Sequence, residues 1–303
     1  MNIRIIIIFL VAVVTGAGLY KQFLVKPNTE KTVGIFSSKA PGIKDDIRFI
    51  KRSLKLYDIN SNQIVDESNP NSENSEIKIF LDQVKYDSYL KKDDKSIKLA
   101  VRLTANDEEE NLKSTGIFEE DKTEELLELI ETTIKQPLNC LLLYDQNAPQ
   151  SEQVATRYEE IAKIKRINLS LCALDRNQNI SSILKEKTKN INVVIMIPGK
   201  IIFNDAELIL EHFKVHKIPV FANNIGLIRC GALGGYDYDT QEISHSIAEF
   251  ASEFLKDPKN IKSDIFDELH SQLHLNMDAI SRLAIQLDPD LIDEAITVGG
   301  ADL

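Results

Sequence analysis

A chain of 303 residues has room for two medium domains or one bilobed unit, each with its own core. Hydrophobic residues make up 43% and charged residues 27%, a balance that excludes wholesale disorder and a polytopic membrane protein. The formal net charge is -11, and no dense Lys/Arg cluster offsets it, which argues against nucleic acid as a partner.

The first 25 residues read as a targeting segment. Ile5 to Tyr20 carries no charge, Arg4 and Lys21 flank it, and Thr15 to Gly18 supplies small residues suited to a signal peptidase. Its length falls between the apolar core of a signal peptide and a spanning anchor. Both readings place the remainder outside the cytoplasm, periplasmic or held at the inner membrane. No cysteine follows the apolar run, so lipid anchoring through a thiol is not expected.

Thr32 to Phe36 (TVGIF) reads as a first strand, and Ser37 to Gly42 as its loop. Asp45 to Tyr57 places Ile47, Ile50, Leu54 and Tyr57 at helical spacing. Ser61 to Ser75 is Asn/Ser-rich and contains Pro70, which marks a surface loop. Two further strands are expected at Glu76 to Leu81 and Ser96 to Leu103. The acidic run Asn106 to Asn111 reads as solvated loop.

From residue 119 onward, helices and strands alternate at regular spacing, the pattern of a parallel sheet with crossover helices. The strands are Cys140 to Tyr144, Asn168 to Leu174, Ile191 to Ile197 and Ile218 to Ala222. Their near-continuous apolar character predicts cover on both faces. The helices are Glu119 to Lys135, Ser151 to Lys165, Ile180 to Lys189 and Asp205 to His216. A doubly wound unit of this kind offers its ligand crevice at the carboxyl ends of the strands. Three glycines in Arg229 to Asp239 suggest tight turns and a crossover between lobes. Ile243 to Lys256 is a strongly amphipathic helix, and Leu273 to Ala295 pairs a short strand with further helices.

Several motifs stand in an order that resembles the ABC transporter substrate-binding family, the group that includes aromatic amino-acid binders. Ser114-Thr115-Gly116-Ile117 precedes the Glu119 helix. Cys140 to Ser151 (CLLLYDQNAPQS) is similar to a strand ending in tyrosine and a loop ending in serine. Ile218 to Ala222, Gly231-Ala232-Leu233, Asp237-Tyr238 and Leu273 to Leu291 follow in register, with Asn276 as the matching asparagine. The resemblance implies a type I periplasmic-binding fold: two α/β lobes with doubly wound parallel sheets, joined by crossovers, holding a ligand between them. The first lobe, 32–113, is shortened by about thirty residues, near one βα unit. The second lobe is expected at 114–228. Residues 229–303 would supply the crossover and C-terminal helices packing back across both lobes.

The expected ligand contacts are Ser151, Asn223, Asn224, Asp237, Tyr144, Ser37 and Ser38. A solute stripped of water needs paired charges and hydrogen bonds, and these residues offer them at loop positions. Each also suits a plain turn or cap; Asp237, before a helix, suits an N-cap, and Ser151 sits at a helix start where backbone amides accept a carboxylate. Three positions depart from the family pattern: Gln150 precedes Ser151, Pro198-Gly199-Lys200-Ile201 replaces an expected threonine-aspartate pair, and Asn223-Asn224 are neutral.

No catalytic signature is present, and no cofactor or metal is expected. His212 and His216 share a helix face at i, i+4 but lack the glutamate of a zinc protease motif, so they read as a solvated helix edge. His270 and His274 fall where a loop enters a strand. Cys140, Cys172 and Cys230 stand apart without ligand spacing and read as buried free thiols. Two functions compete: a solute receptor serving the membrane permease of an ABC transporter, and a degenerate relative acting as an anchored sensor or protein-interaction scaffold.

Overall fold

The computed structural model describes residues 31–37, 43–66, 74–81, 97–104, 114–119, 121–135, 137–258 and 269–299. The targeting segment, the acidic run and Ser38 lie outside them. Among the described residues, no helix is long and apolar enough to cross a membrane.

Five parallel strands form the first sheet: β1 (Val33–Phe36), β2 (Ile64–Asp66), β3 (Ile77–Phe80), β4 (Ile97–Thr104) and β5 (Ser114–Glu119), in the order β2-β1-β3-β4-β5. Helix α1 (Ile43–Leu56) turns Ile50 and Leu54 onto it, and both are buried. β2 lies within the stretch read as surface loop, where Ile64 and Val65 are the apolar pair among polar neighbours. Its register against β1 runs from Val33↔Ile64 to Ile35↔Asp66.

The second sheet has seven strands: β6 (Asn139–Asp145), β7 (Asn168–Leu174), β8 (Val193–Met196), β9 (Val220–Phe221), β10 (Gly234–Asp237), β11 (Gln272–Asn276) and β12 (Ile296–Val298), in the order β12-β11-β10-β9-β8-β6-β7. β6 to β10 are parallel, and β11 pairs antiparallel with β10. Alternation along β6 sends Cys140 and Leu142 to one face and Leu141 and Leu143 to the other. The first face is covered by α2 (Thr123–Thr133), α3 (Pro149–Lys165) and α9 (Met277–Leu283). The second is covered by α4 (Ile180–Lys187), α5 (Lys200–Asn204), α6 (Ala206–Val215) and α7 (Ile225–Arg229). This double cover explains the apolar character of β6 and β8. β7, expected to be covered on both faces, lies at the sheet edge and exposes Asn168, Ser170 and Leu171. The short helix α10 (Pro289–Glu294) follows α9 and leads into β12.

The long helix α8 (Thr240–Lys256) belongs with the first sheet. Its Ile243, Ile247, Ala248, Phe250 and Ala251 share one core with Val33, Ile35, Ile50, Leu54 and Ile77. Among the described residues the chain therefore passes between the lobes three times. It leaves the first sheet after β5 for α2. It returns at Asp237–Tyr238, where Asp237 ends β10 and Tyr238 is buried in the first core. It crosses back between Leu269, packed on the first core, and Leu273, in the second.

These boundaries differ from those expected. Ser114–Glu119 was expected to open the second lobe, but it pairs with β4 from Lys98↔Ser114 to Thr104↔Glu119 and so closes the first sheet. The glycine-rich stretch Arg229 to Asp239 first forms β10, a strand of the second sheet, and the crossing at Asp237–Tyr238 comes only at its end. The segment Pro198-Gly199-Lys200-Ile201 runs into α5.

Candidate functional site

The first two crossings leave from strand carboxyl ends: β5 runs out into α2, and β10 runs out into α8. The carboxyl ends of both parallel sheets are consequently turned toward one another across the crossings. The expected contact residues sit at these ends. Ser37 follows β1 in the first lobe and is half-buried. The others form two groups on the second lobe, separated by β8.

The first group surrounds the end of β6. Tyr144 is half-buried, and burial, the Glu152 carboxylate and the Cys172 thiol raise its phenol above its ordinary pKa. Pro149 begins α3, where a missing N–H costs nothing. Ser151, two residues on, is buried, and its Oγ lies 3.5 Å from the Pro198 carbonyl it faces. Asp145 was not singled out from the sequence, yet it organises this corner. It is 1% exposed, its Oδ1 accepts from the Asn147 amide at 2.9 Å, and its Oδ2 accepts from the Ile201 amide at 3.1 Å. The loop after β8 is thus fastened to the loop after β6. Gly199 is required there, since a Cβ would come within 2.9 Å of the Asp145 Cβ and 3.4 Å of the Ser151 Oγ.

The second group surrounds β9 and β10. Asn224 is the N-cap of α7, its Oδ1 accepting from the Leu227 amide at 3.1 Å. Asn223 Oδ1 accepts from the Tyr236 amide at 2.9 Å, while its Nδ2 points to the Lys122 carbonyl at 3.5 Å, on the first crossing. Asp237 is 6% exposed; its Oδ2 accepts from the Ile225 amide at 2.7 Å and its Oδ1 from the Tyr238 amide at 2.8 Å. It does not cap α8, as its position suggested. Asp239 does so, accepting from Gln241 and Glu242. Gly235 lies where a Cβ would overlap the Ala222 carbonyl, which lets β10 close on the end of β9.

Two hollows appear elsewhere among the described residues. One, of about 550 Å³, lies between α4 and α6 and is lined by Lys185, Glu207, Glu211, His212 and His216. A second, of about 360 Å³, lies beside Arg176, Asn179 and Asp205. Neither contains an expected contact residue. His212 Nε2 is 2.7 Å from Thr188 Oγ1, so the histidine edge is partly packed against α4 rather than simply solvated. Among the described residues, no cluster of three metal-ligating side chains is present.

Two α/β lobes with parallel sheets, joined by three crossings, define a type I periplasmic-binding fold. The chain belongs to the ABC transporter substrate-binding protein family, whose model matches residues 96–298. A conserved domain protein from Vibrio cholerae has a similar structure, with a TM-score of 0.73 at 14% identity, covering 89% of this chain and 99% of that one. A domain from Streptococcus pneumoniae, solved in complex with L-Trp, gives the same TM-score and identity and is covered over 100% of its length, against 89% of this chain. The ligand-free, open structure of a substrate binding protein with adhesive properties from Clostridium difficile gives a TM-score of 0.62 at 13% identity, with 89% and 100% coverage. No curated protein matches this chain.

Proposed function

We propose that this protein is the extracytoplasmic solute receptor of an ABC-type transport system, binding a small organic solute such as an amino acid between its lobes and presenting it to a membrane permease. The observation that carries this reading is the facing of the two sets of strand carboxyl ends across the crossings. Crevices of α/β sheets form there, and a solute that touches both lobes favours the closed arrangement. A neighbour of the same fold holds L-Trp and another holds 3,4-dihydroxybenzoic acid, both small organic acids. Residues 1–25 would export the chain or hold it at the membrane, with the lobes in the periplasm.

In this reading Tyr144, Ser151 and Ser37 contact the solute through their side chains, with Ser38, outside the described residues, as a further proposed contact. The start of α3 offers a carboxylate little, because Pro149 has no N–H and the Ser151 and Glu152 amides go to the Ala148 carbonyl. Asn223, Asn224 and Asp237 hold the loops in place around it. The family is one of substrate-binding proteins, and in this reading the chemistry is recognition. The test is a thermal-shift screen against amino acids, nucleosides, small peptides and organic acids. A solute at a hundredfold over its Kd adds about 2.7 kcal/mol of stability, and Ser151→Ala should weaken that shift.

A scaffold role is favoured by one observation: both carboxylate oxygens of Asp237 and the Oδ1 of Asn224 accept from backbone amides of the protein. Silence across the screen, from a sample that melts cooperatively, would support that second reading.

A further inference from the structure

His274, in the middle of β11, is 2% exposed, and its Nδ1 has no hydrogen-bond partner among the described residues. Its Nε2 lies 3.0 Å from the Asp237 carbonyl oxygen. A carbonyl only accepts, so Nε2 carries the proton and Nδ1 the lone pair of a neutral ring. In the β10/β11 register His274 stands opposite Gly235, and the ring reaches two residues along to Asp237. The Asp237 carbonyl belongs to the peptide group that joins the lobes, because Tyr238 is already in the first core.

We infer that His274 is a positioning residue for the solute-binding cycle: a proton-sensitive latch that holds the Asp237–Tyr238 crossing while its ring is neutral. Protonation would keep the Nε2 bond but create a buried Nδ1–H without an acceptor, the costly arrangement for a charged group. The charged groups around the ring divide. Asp237 on β10 and Asp239 in the following turn favour the cation, and Arg229 on α7 opposes it. Burial outweighs them and holds the ring below its ordinary range. The folded-state pKa is therefore depressed. The latch contributes fully above the unfolded value of about 6.5 and is lost as pH falls through the folded value. Acid then favours arrangements in which the ring reaches water, which loosens the crossing.

This inference rests on the lobes moving about the crossings as proposed above, but its test needs no solute, so the two can fail separately. Hydrogen exchange of the Ile225 and Tyr238 amides, both held by the Asp237 carboxylate, is followed from about pH 7.5 to 5.5. Exchange is normalised to the Leu142 amide in the β6 core. Wild-type protection should fall about tenfold on acidification. In His274→Gln, which offers the Asp237 carbonyl a donor that does not titrate, protection should stay flat. An acid response of equal size in His274→Gln, or a flat wild type, would overturn the inference. Should that variant not fold, an NMR titration of the wild-type His274 ring decides: midpoint below 6.5 supports the latch, and midpoint at or above 6.5 sinks it.

Discussion

The carboxylate of Asp237 accepts the Ile225 amide at 2.7 Å, tying the last residue of β10 to the first turn of α7. Its second oxygen takes the Tyr238 amide, so one buried side chain serves both the second lobe and the chain leaving it. Asp237→Ala leaves two buried amides without these partners, at a cost of about 3 kcal/mol. Asp237→Asn keeps one acceptor oxygen and should cost less than half as much. Urea denaturation of the two variants checks the order; equal losses would show that one retained acceptor oxygen rescues nothing.

Helix caps give a second comparison. Asn276 is 1% exposed, caps α9 by accepting from the Ala279 amide at 2.9 Å, and donates to the Ile228 carbonyl at 2.6 Å, linking α9 to α7. Asn179 caps α4 from an exposed position, accepting from the Ser182 amide. Asn179→Ala should cost about 1 kcal/mol, as an ordinary cap does. Asn276→Ala should cost about 2 kcal/mol, since it also removes a buried donor from the Ile228 carbonyl, which keeps only the Gly231 and Cys230 amides of its own turn. Chemical denaturation midpoints measured side by side would show whether the internal donor matters.

The assignment of α8 to the first lobe is testable by a core truncation. Ile247 is fully buried against the first sheet and α1. Ile247→Ala should cost about 3 kcal/mol. Residue-level hydrogen exchange should show the loosening in β1, β3 and α1, while β6 and β8 keep their protection. Loosening centred on β6 and β8 would place α8 with the other lobe.

The second lobe was legible in the sequence because its inner strands are covered twice and therefore read as apolar runs, as in Cys140 to Tyr144 and Val193 to Ile197. β10 was not, because Gly234 and Gly235 suggest turns. Their small size instead admits the carbonyls of His274 and Ala222 on neighbouring strands. β2 was hidden by its polar surroundings. The apolar face of α8 was plain, but a helix face does not say which of two sheets it covers; that follows from where the chain crosses. At the site, the positions of Asn224 and Asp237 were legible and their work was not, since an amide or carboxylate that holds a loop has the same composition as one that holds a solute. Asp145 and His274 were missed because their importance lies in burial and pairing across strands, which no local pattern records.

The most direct measurement is small-angle X-ray scattering of the protein with and without the solute that raises its melting temperature. Closure of two lobes about Asp237–Tyr238 and the two other crossings should reduce the radius of gyration on solute addition, and Ser151→Ala should require more solute for the same contraction. An unchanged radius at saturating solute would contradict binding between the lobes.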